Sequence, residues 1–263
     1  MKPLYQTKSI VAQTALITGA SAGIGEACAL MLAEQGANLI LVARRQDKLE
    51  SVKDKIHALF PNISIRCEVC NIAEVGEIEK LAKRLVGMDV HILINNAGLA
   101  LGTETGDKIP IHDTITMFNT NVIGLMALVN KIAPQMRERN EGDIVNISSV
   151  AAFDHYAGGA IYCATKSAVD AFNDCLRMDM VETNIRVIGI NPGLVSGTEF
   201  SVVRFKGDKQ LAATPYLGIE CLNAMDIADQ VVYAITRPMN VQIAQVRSYC
   251  NQQAHAKYVI ARK

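Results

Sequence analysis

The sequence predicts one α/β domain built on a doubly wound parallel sheet. Short apolar runs rich in Ile, Leu and Val alternate with longer amphipathic segments along the whole chain. Unbroken apolar strands separated by helices are typical of a parallel sheet whose two faces are both covered. The length of 263 residues also suits a single domain of this class. We therefore expect a Rossmann-type sheet over residues 1–263, with ligands bound at the carboxyl ends of its strands.

The predicted strands are the short apolar runs, and the predicted helices are the amphipathic intervals between them. In chain order the strands are Ala15–Thr18, Leu39–Ala43, Ile63–Cys67, Ile92–Asn95, Asp143–Ser148, Arg186–Asn191 and Gln242–Val246. The helices are Gly25–Gln35, Asp47–Phe60, Glu74–Leu85, His112–Arg139, Ala160–Val181 and Asp226–Thr236. The stretch from Pro192 to about Gly218 shows neither pattern, and a long irregular stretch in a compact domain is often an active-site lid.

The composition argues against several classes of protein. Half of the residues are apolar and a fifth are charged, which indicates a globular chain. The net charge of zero argues against a nucleic-acid partner, although a local basic patch stays open. No run approaches the ~18 consecutive apolar residues of a membrane span, and no apolar signal segment precedes the first strand. We expect a cytoplasmic protein without nucleic-acid or membrane partners.

The cysteines do not form a metal-binding pattern. Seven of them are scattered along the chain, which suits free thiols in a reducing compartment. Cys67 and Cys70 form a C-x-x-C, but the chain has no second pair at metal-ligand spacing, and Cys67 lies in a predicted strand. We expect no metal site.

Tyr162 and Lys166 are the residues whose spacing points most directly to chemistry. They lie four residues apart in a predicted helix, just over one turn, so the phenol and the ammonium share a face. A nearby cation favours the phenolate and lowers the tyrosine pKa from its ordinary value of about 10. Such a phenol can exchange a proton with a substrate oxygen. The alternative is an exposed helical pair without a function, because short motifs match by chance.

The first predicted strand leads into a glycine-rich turn, Gly19-Ala-Ser-Ala-Gly23-Ile-Gly25, that opens a helix. Glycines let the backbone approach a pyrophosphate closely, and the helix N-terminus offers free N–H groups and partial positive charge. Ser21 can add a hydroxyl donor. The alternative is a plain strand-to-helix turn, but the position of the loop after the first strand favours phosphate binding. The spacing is G-x-x-x-G-x-G rather than the commoner G-x-G-x-x-G.

Arg44 and Arg45 follow the second predicted strand, where folds that bind NAD usually place an acid on the ribose 2′-hydroxyl. Guanidinium groups suit a 2′-phosphate, and the sequence places no acid directly beside them to compete with it. The alternative is a pair of solvated loop arginines. The pattern predicts NADP rather than NAD as the cofactor.

Taken in this order, the motifs resemble those of the short-chain dehydrogenase/reductase family over nearly the whole chain. The resemblance rests on the loop from Thr18 to Gly25, on Asn95-Asn96-Ala97-Gly98 and on Asn191-Pro192-Gly193. It implies a catalytic tetrad that consists of Asn121, Ser149, Tyr162 and Lys166. The cofactor contacts that it implies are Gly19, Ser21, Gly23, Ile24, Gly25, Arg44, Arg45, Asn71, Ile72, Asn96, Tyr162, Lys166, Pro192, Gly193, Val195 and Thr198.

The resemblance also implies a role for each member of the tetrad. Tyr162 is expected to act as the general base in oxidation and as the general acid in reduction. Ser149 would donate a hydrogen bond to the substrate oxygen. Lys166 would lower the pKa of Tyr162 and hydrogen-bond the nicotinamide ribose. Asn121 would hold a water molecule that links Lys166 to solvent.

Two positions depart from the family pattern. Asn71, followed by Ile72, stands where the family usually has an aspartate that contacts adenine, and asparagine retains an acceptor oxygen. Ala22 stands where many NADP-dependent members carry a basic residue. The NADP prediction therefore depends mainly on Arg44 and Arg45.

Two longer stretches, residues 96–102 and 192–207, resemble the NADP-dependent 3-hydroxy acid dehydrogenases, also called serine or allo-threonine dehydrogenases. This resemblance implies oxidation of short substrates such as serine, allo-threonine and 3-hydroxypropionate, with Ser149 and Tyr162 at the substrate hydroxyl. Arg204 is our candidate for binding the carboxylate, and a solvated or ion-paired surface arginine is the alternative. Two other functions stay open: an NADPH-dependent carbonyl reductase of bulkier ketones, and a non-catalytic NADP-binding regulatory protein.

The predicted helix Ala160–Val181 carries small or apolar residues on more than one face. A second apolar face on a helix suggests packing against another subunit. Because the family often forms tetramers, we expect a homotetramer.

Overall fold

In a computed structural model that describes residues 5–261, the chain forms a seven-stranded parallel sheet with helices on both faces. The strands are β1 Thr14–Thr18, β2 Asn38–Ala43, β3 Ile65–Val69, β4 Ile92–Asn95, β5 Gly142–Ile147, β6 Ile185–Pro192 and β7 Gln245–Ser248. They lie in the order β3-β2-β1-β4-β5-β6-β7 with parallel pairing throughout. The predicted fold class is confirmed. Residues 1–4 and 262–263 of the predicted domain lie outside the described part.

The helices form a layer on each face of the sheet. They are α1 Gly23–Glu34, α2 Gln46–Leu59, α3 Val75–Arg84, α4 Ile111–Phe118, α5 Gly124–Arg139, α6 Ala160–Asp179, α7 Phe200–Arg204, α8 Lys209–Ala213 and α9 Ala224–Ile235. One core contains α1, α2 and α9, and the other contains α3, α5 and α6. Ala15 and Ile17 of β1 belong to the first core and Leu16 to the second, as the twofold side-chain period of a strand requires.

Burial on both faces explains why the middle of β1, from Ala15 to Ile17, is apolar. Leu16 is fully shielded from solvent. A buried leucine stabilises the folded chain by about 1.5–3 kcal/mol relative to an exposed one. Its truncation to alanine would cost roughly 2–5 kcal/mol, because the remaining cavity adds to the lost transfer energy. The buried sheet therefore holds the carboxyl ends of its strands, and the functional side chains there, in fixed positions.

The strand order places a crevice between β1 and β4. The chain proceeds from β1 to β2 and β3 on one side and resumes with β4 on the other side. Parallel sheets bind ligands at such a switch point, outside the carboxyl ends of the strands. Thr18 ends β1 and Asn95 ends β4, so these two buried residues stand at the floor of the crevice.

Two predicted strands are displaced along the sequence. β3 begins two residues later than predicted because its register follows β2, from Leu39 opposite Ile65 to Ala43 opposite Val69. It lies at the edge of the sheet, where only Glu68 of its five residues is buried and apolar content does not mark the boundary. β7 likewise begins three residues after the predicted Gln242, because it pairs with the end of β6.

The sequence suggested that the 192–218 segment is irregular, and this prediction was wrong. It contains α7, α8 and a 3₁₀ turn at Thr214–Tyr216. Each of the two helices is five residues long, too short to show helical periodicity in the sequence. A further unpredicted element is the antiparallel hairpin of β8 (Gln253–His255) and β9 (Tyr258–Val259).

The predicted helix His112–Arg139 is a continuous run that consists of α4, a π-helical turn at Asn119–Ile123, and α5. By length and composition alone, the 29-residue run Ile111–Arg139 is long and apolar enough to cross a membrane, which the sequence analysis did not anticipate. The core helix of a globular domain meets the same criterion, and α5 supplies buried residues to the second core. Short π-helical turns are frequent at functional sites.

Candidate active site

A cavity of about 350 Å³ opens at the carboxyl ends of the strands. Its walls come from the glycine loop, the segment after β4, the start of α6, the 192–218 segment and the β8–β9 hairpin. Small-molecule sites are typically clefts of about 300–1,000 Å³ at such positions. Of the site residues that the sequence predicted, all but Gly25 and Asn121 line this cavity.

The glycine loop has the geometry that a pyrophosphate requires. Gly19 and Gly23 have φ angles of +65° and +60°, which other residues rarely adopt. A Cβ on Gly25 would lie 2.3 Å from the carbonyl oxygen of Gly19, so only glycine lets α1 begin this close to β1. Ala22, at the N-cap of α1, has no side chain that could cap the helix. The first N–H groups of α1 therefore remain available to an anion.

Thr18 and Asn96 fasten the glycine loop to the end of β4. The Thr18 hydroxyl accepts hydrogen bonds from the backbone N–H groups of Asn96 and Ala97, both at 3.0 Å. Asn96 Nδ2 donates to the carbonyl oxygen of Thr18 at 2.9 Å and to that of Gly19 at 3.3 Å. These contacts hold the loop across the crevice between β1 and β4.

Arg45 lies at the cavity end near the glycine loop and has an acidic partner there. Its guanidinium donates to both carboxylate oxygens of Glu199, at 3.0 and 2.6 Å, and to Ser21 Oγ at 3.3 Å. No acid that competes with a phosphate was expected beside these arginines, and the fold corrects this expectation by bringing Glu199 across from the 192–218 segment. The hydrogen bond from Arg45 lowers the pKa of Glu199. Arg44 is exposed and forms no hydrogen bond or ion pair within residues 5–261.

Asn71 and Ile72 line the cavity just after β3. Asn71 Oδ1 accepts a hydrogen bond from the backbone N–H of Ala73 at 3.2 Å. One lone pair of this oxygen therefore serves the loop and the other is left for a ligand. Ile72 is buried, and its carbonyl oxygen would lie 2.0 Å from a Cβ on Gly124, so only glycine lets α5 begin this close to the loop.

Ser149 and Tyr162 meet at the other end of the cavity. Ser149 follows β5, and its Oγ accepts a hydrogen bond from the N–H of Ala151 at 3.1 Å and donates to the carbonyl oxygen of Pro192 at 3.4 Å. Tyr162 is 9% exposed, and its ring packs edge to face on Phe200 with 5.6 Å between the ring centres. The phenol is therefore held in one orientation at the cavity wall.

The protonation of Tyr162 differs from the sequence expectation. Burial raises its pKa well above the ordinary tyrosine value, and the hydrogen bond with Ser149 and the charge of Arg204 oppose this only in part. Lys166 was expected to lower that pKa. Its Nζ instead donates to the carbonyl oxygen of Ile147 at 3.0 Å, 5.8 Å from the centre of the Tyr162 ring, and burial lowers the pKa of Lys166 to about 8. Tyr162 is thus a neutral phenol near pH 7, and a positive charge brought beside it would favour the phenolate.

Asn121 supports this end of the site from the π-helical turn. Its Oδ1 accepts a hydrogen bond from the N–H of Leu99 at 2.9 Å, and its Nδ2 donates to Leu99 O at 2.8 Å and Thr165 Oγ1 at 3.1 Å. A Cβ on Gly98 would lie 3.3 Å from Asn121 Oδ1 and 3.5 Å from Lys166 Nζ, so glycine keeps a gap between these two groups. One lone pair of Oδ1 remains for a water molecule.

Arg204 of α7 forms the wall beside Tyr162. It is only 9% exposed, and its Cζ lies 5.9 Å from the centre of the Tyr162 ring. Its guanidinium donates to Gly102 O at 3.1 Å, Tyr156 OH at 3.0 Å and Gly158 O at 3.0 Å. The residue is therefore buried and forms no ion pair with any residue that the structure describes, and two of its five N–H groups remain for a ligand.

The remaining predicted cofactor residues lie in the turn after β6. Pro192 ends β6, and Gly193 follows it along the cavity. Val195 forms an isolated parallel bridge to Leu222. The methyl group of Thr198 would lie 3.3 Å from a Cβ on Gly23. The turn therefore lies over the glycine loop and joins the two ends of the cavity.

Sequence reasoning missed many residues of the cavity wall, and three of them bear on the chemistry, namely Tyr156, Glu199 and Lys257. Lys257 stands at the turn of the β8–β9 hairpin, with its Nζ 5.1 Å from the centre of the Tyr156 ring. The partners of all three residues lie far away in sequence, so no local pattern points to them. The stretch around Glu199 resembles a substrate loop, and this was the one signal that could have drawn attention to Glu199.

The cysteines remain without a functional arrangement. All seven are free thiols, and burial raises the pKa of Cys67 and of Cys70 to about 11. Within residues 5–261, no group of three or more His, Cys, Asp or Glu side chains has the geometry of a metal site.

Comparisons with known proteins agree with this geometry. A family model described as short chain dehydrogenase matches residues 13–208. The NADP-dependent 3-hydroxy acid dehydrogenase of Schizosaccharomyces pombe is 41% identical over 251 residues, which cover 94% of this chain and 96% of that protein. A solved structure of the closed form of serine dehydrogenase complexed with NADP+ superposes with a TM-score of 0.88 at 37% identity, and covers 95% of this chain and 100% of that one. Serine dehydrogenase from Escherichia coli gives a TM-score of 0.79 at 33% identity, with 92% and 100% covered.

Proposed function

The chain belongs to the short-chain dehydrogenase family, and we propose that it oxidises short 3-hydroxy acids to 3-oxo acids. It is an NADP-dependent oxidoreductase that acts on a hydroxyl group. When bound, NADP+ supplies the hydride acceptor. The 3-hydroxy acid dehydrogenase and serine dehydrogenases named above act on β-hydroxy acids by their names, which supports a substrate of this class here.

The position of Arg204 beside Tyr162 carries the proposal. A 3-hydroxy acid holds its hydroxyl and its carboxylate two carbons apart, so a cation next to the phenol can bind the carboxylate while the hydroxyl meets Tyr162. Hydrogen bonds between a guanidinium and a carboxylate are among the stronger ones in proteins. Glu199 is the one acid among the described residues that line the cavity, and it lies at the opposite end, against Arg45. The substrate end therefore has no carboxylate that would repel an acid.

The tetrad residues then act as follows. Tyr162 Oη, in the phenolate form that the positive charge of bound NADP+ would favour, would take the proton from the substrate hydroxyl during oxidation and return it during reduction. Ser149 Oγ turns from the carbonyl oxygen of Pro192 to the substrate oxygen and stabilises the charge that develops there. Lys166 binds the nicotinamide ribose and passes the proton on. Asn121 holds the water molecule through which that proton reaches solvent.

The 192–218 segment acts as the substrate lid in this proposal, and from here on we call it the lid. α7 of the lid carries Arg204 into the cavity, while Glu199 ties the lid to Arg45.

We further propose a cytoplasmic homotetramer. Exposed apolar side chains near the C-terminal end of α6, Met178 and Val181, support subunit packing. Light scattering after size exclusion would measure the mass of the assembly, and a monomer would contradict this part of the proposal.

A substrate panel tests the proposed reaction. NADP-dependent oxidation would be measured with L-serine, L-allo-threonine, 3-hydroxyisobutyrate, 3-hydroxypropionate and neutral secondary alcohols. We expect kcat/KM for the hydroxy acids to exceed that for the alcohols. Turnover confined to the reduction of bulky ketones by NADPH would contradict the proposal and assign the chain to the carbonyl reductases. Tight NADPH binding without turnover of any substrate would instead indicate a regulatory NADP-binding protein.

A further inference from the structure

Lys257 reaches the substrate end of the cavity from an element that the proposed mechanism does not use. It stands in the two-residue turn of the β8–β9 hairpin, between His255 and Tyr258. Its Nζ lies 5.1 Å from the centre of the Tyr156 ring. Arg204 approaches the same ring, with its Cζ 5.6 Å from the centre, and donates a hydrogen bond to the Tyr156 hydroxyl. Two cations thus lie against the ring of Tyr156 at the mouth of the cavity.

The hairpin is held in this place by side chains that face the turn after β6 and the end of the lid. The side chain of Gln253 is buried, and its Oε1 accepts a hydrogen bond from the N–H of Leu194 at 2.9 Å. Gln252 Nε2 donates to the carbonyl oxygen of Gly218 at 3.2 Å, and Gln252 Oε1 accepts from the N–H of Glu220 at 2.8 Å. These contacts fix the β8 side of the hairpin, and the turn lines the cavity through Ala256 and Lys257.

The charge of Lys257 has no acidic partner in the part of the chain that the structure describes. It forms no ion pair or hydrogen bond within residues 5–261, and its Nζ lies over the face of Tyr156. Partial desolvation at the cavity mouth and, after it, the charge of Arg204 lower the pKa of Lys257, so the two cations repel each other across the cavity mouth. An uncompensated pair of cations is relieved by an anion placed between them.

We propose that Lys257 is a specificity-determining residue, whose ammonium group binds the substrate carboxylate together with the guanidinium of Arg204. This inference rests on the proposed oxidation of 3-hydroxy acids and adds a second cation to it. The two cations have different tasks because their surroundings differ. Arg204 is buried and oriented by three hydrogen bonds, whereas Lys257 is an exposed point charge that selects anionic substrates as they enter.

The test compares an acid with its neutral ester. 3-Hydroxypropionate and methyl 3-hydroxypropionate would be oxidised by the unmutated enzyme, Lys257→Met and Lys257→Arg. Lys257→Met keeps the aliphatic stem and removes the charge, and we expect it to lower the acid-to-ester ratio of kcat/KM about tenfold, mainly through the KM of the acid. Lys257→Arg should restore most of the ratio. Lys209→Met removes an exposed lysine of the lid that does not line the cavity, and should leave the ratio unchanged.

Two results would overturn the inference. If Lys257→Met leaves the ratio unchanged, the ammonium does not contact the carboxylate. If kcat/KM falls equally for the acid and the ester, Lys257 supports the hairpin and does not select the substrate by charge. Failure of the proposed function is a separate result, because the unmutated enzyme would then not oxidise 3-hydroxypropionate at all. In that case 3-hydroxypropionate would be used as an inhibitor of the turnover of a neutral substrate. An unchanged inhibition constant in Lys257→Met would then reject the inference as well.

Discussion

The two ends of the cavity both present an arginine, and the two arginines are held in opposite ways. Arg45, at the glycine-loop end, is exposed, and its guanidinium donates hydrogen bonds to both carboxylate oxygens of Glu199. Arg204, at the Tyr162 end, is buried and donates only to neutral acceptors, two carbonyl oxygens and a phenol. One positive charge is neutralised by the protein, and the other is not.

This difference separates two ways of binding an anion. At Arg45, an incoming phosphate competes with a carboxylate already present, so the gain in binding is the difference between two ion pairs. At Arg204, an incoming carboxylate is the first negative charge that the guanidinium meets, and burial strengthens the interaction because solvent screens it less. Discrimination between charged and neutral ligands should therefore be sharper at the substrate end than at the ribose end.

Tyr162→Phe tests the proton transfer that requires ligands at both ends of the cavity, and it should have the largest effect. The variant removes the phenolic oxygen that is placed to exchange a proton with the substrate hydroxyl, so kcat should fall by about 10³-fold or more. NADPH binding, followed by the change in its fluorescence, should stay within about twofold, because the coenzyme end is unaltered. Retention of near-normal kcat would reject Tyr162 as the acid–base residue.

Arg204→Met removes the unneutralised charge and should have the next largest effect. We expect the KM for 3-hydroxypropionate to rise by roughly 10- to 100-fold, since a hydrogen bond to a charged group contributes about 1.5–3 kcal/mol. The kinetics of the methyl ester separate binding from packing. An equal loss with acid and ester would show that Arg204 serves only to join Gly102, Tyr156 and Gly158, and Arg204→Lys would then fail to restore the acid.

These contrasts also show which parts of the site a sequence reveals. The glycine loop and the Tyr162–Lys166 pair were predicted because each depends on spacing within one turn or helix, and Ser149 was predicted from the family resemblance. Glu199, Tyr156 and Lys257 were not, because their partners come from other elements and, for Arg45 and Glu199, from 154 positions away. The expected lowering of the Tyr162 pKa was wrong for a related reason. The helical spacing gave the position of Lys166 but not the burial that dominates both groups.

Arg45→Ala tests the ribose end and should have a moderate effect. The kcat/KM for NADPH should fall by about tenfold, because Arg44 remains to meet a 2′-phosphate, while the kcat/KM for NADH changes less than threefold. NADH is the internal control, since it has no 2′-phosphate and shares every other contact. An equal fall for both coenzymes would indicate that Arg45 holds the lid through Glu199 and does not read the phosphate.

Glu199→Gln should have the smallest effect, and its direction is the informative part. The variant removes the carboxylate that competes with a 2′-phosphate, so the Kd for NADPH should decrease by roughly two- to fivefold, in line with the value of about 0.2–1 kcal/mol for exposed ion pairs. The Kd for NADH should not change. Glu182→Gln, at an exposed acid outside the cavity, serves as the control. Weaker NADPH binding in Glu199→Gln would mean that the ion pair positions Arg45 for the phosphate rather than competing with it, and the contrast between the two arginines would then be one of burial alone.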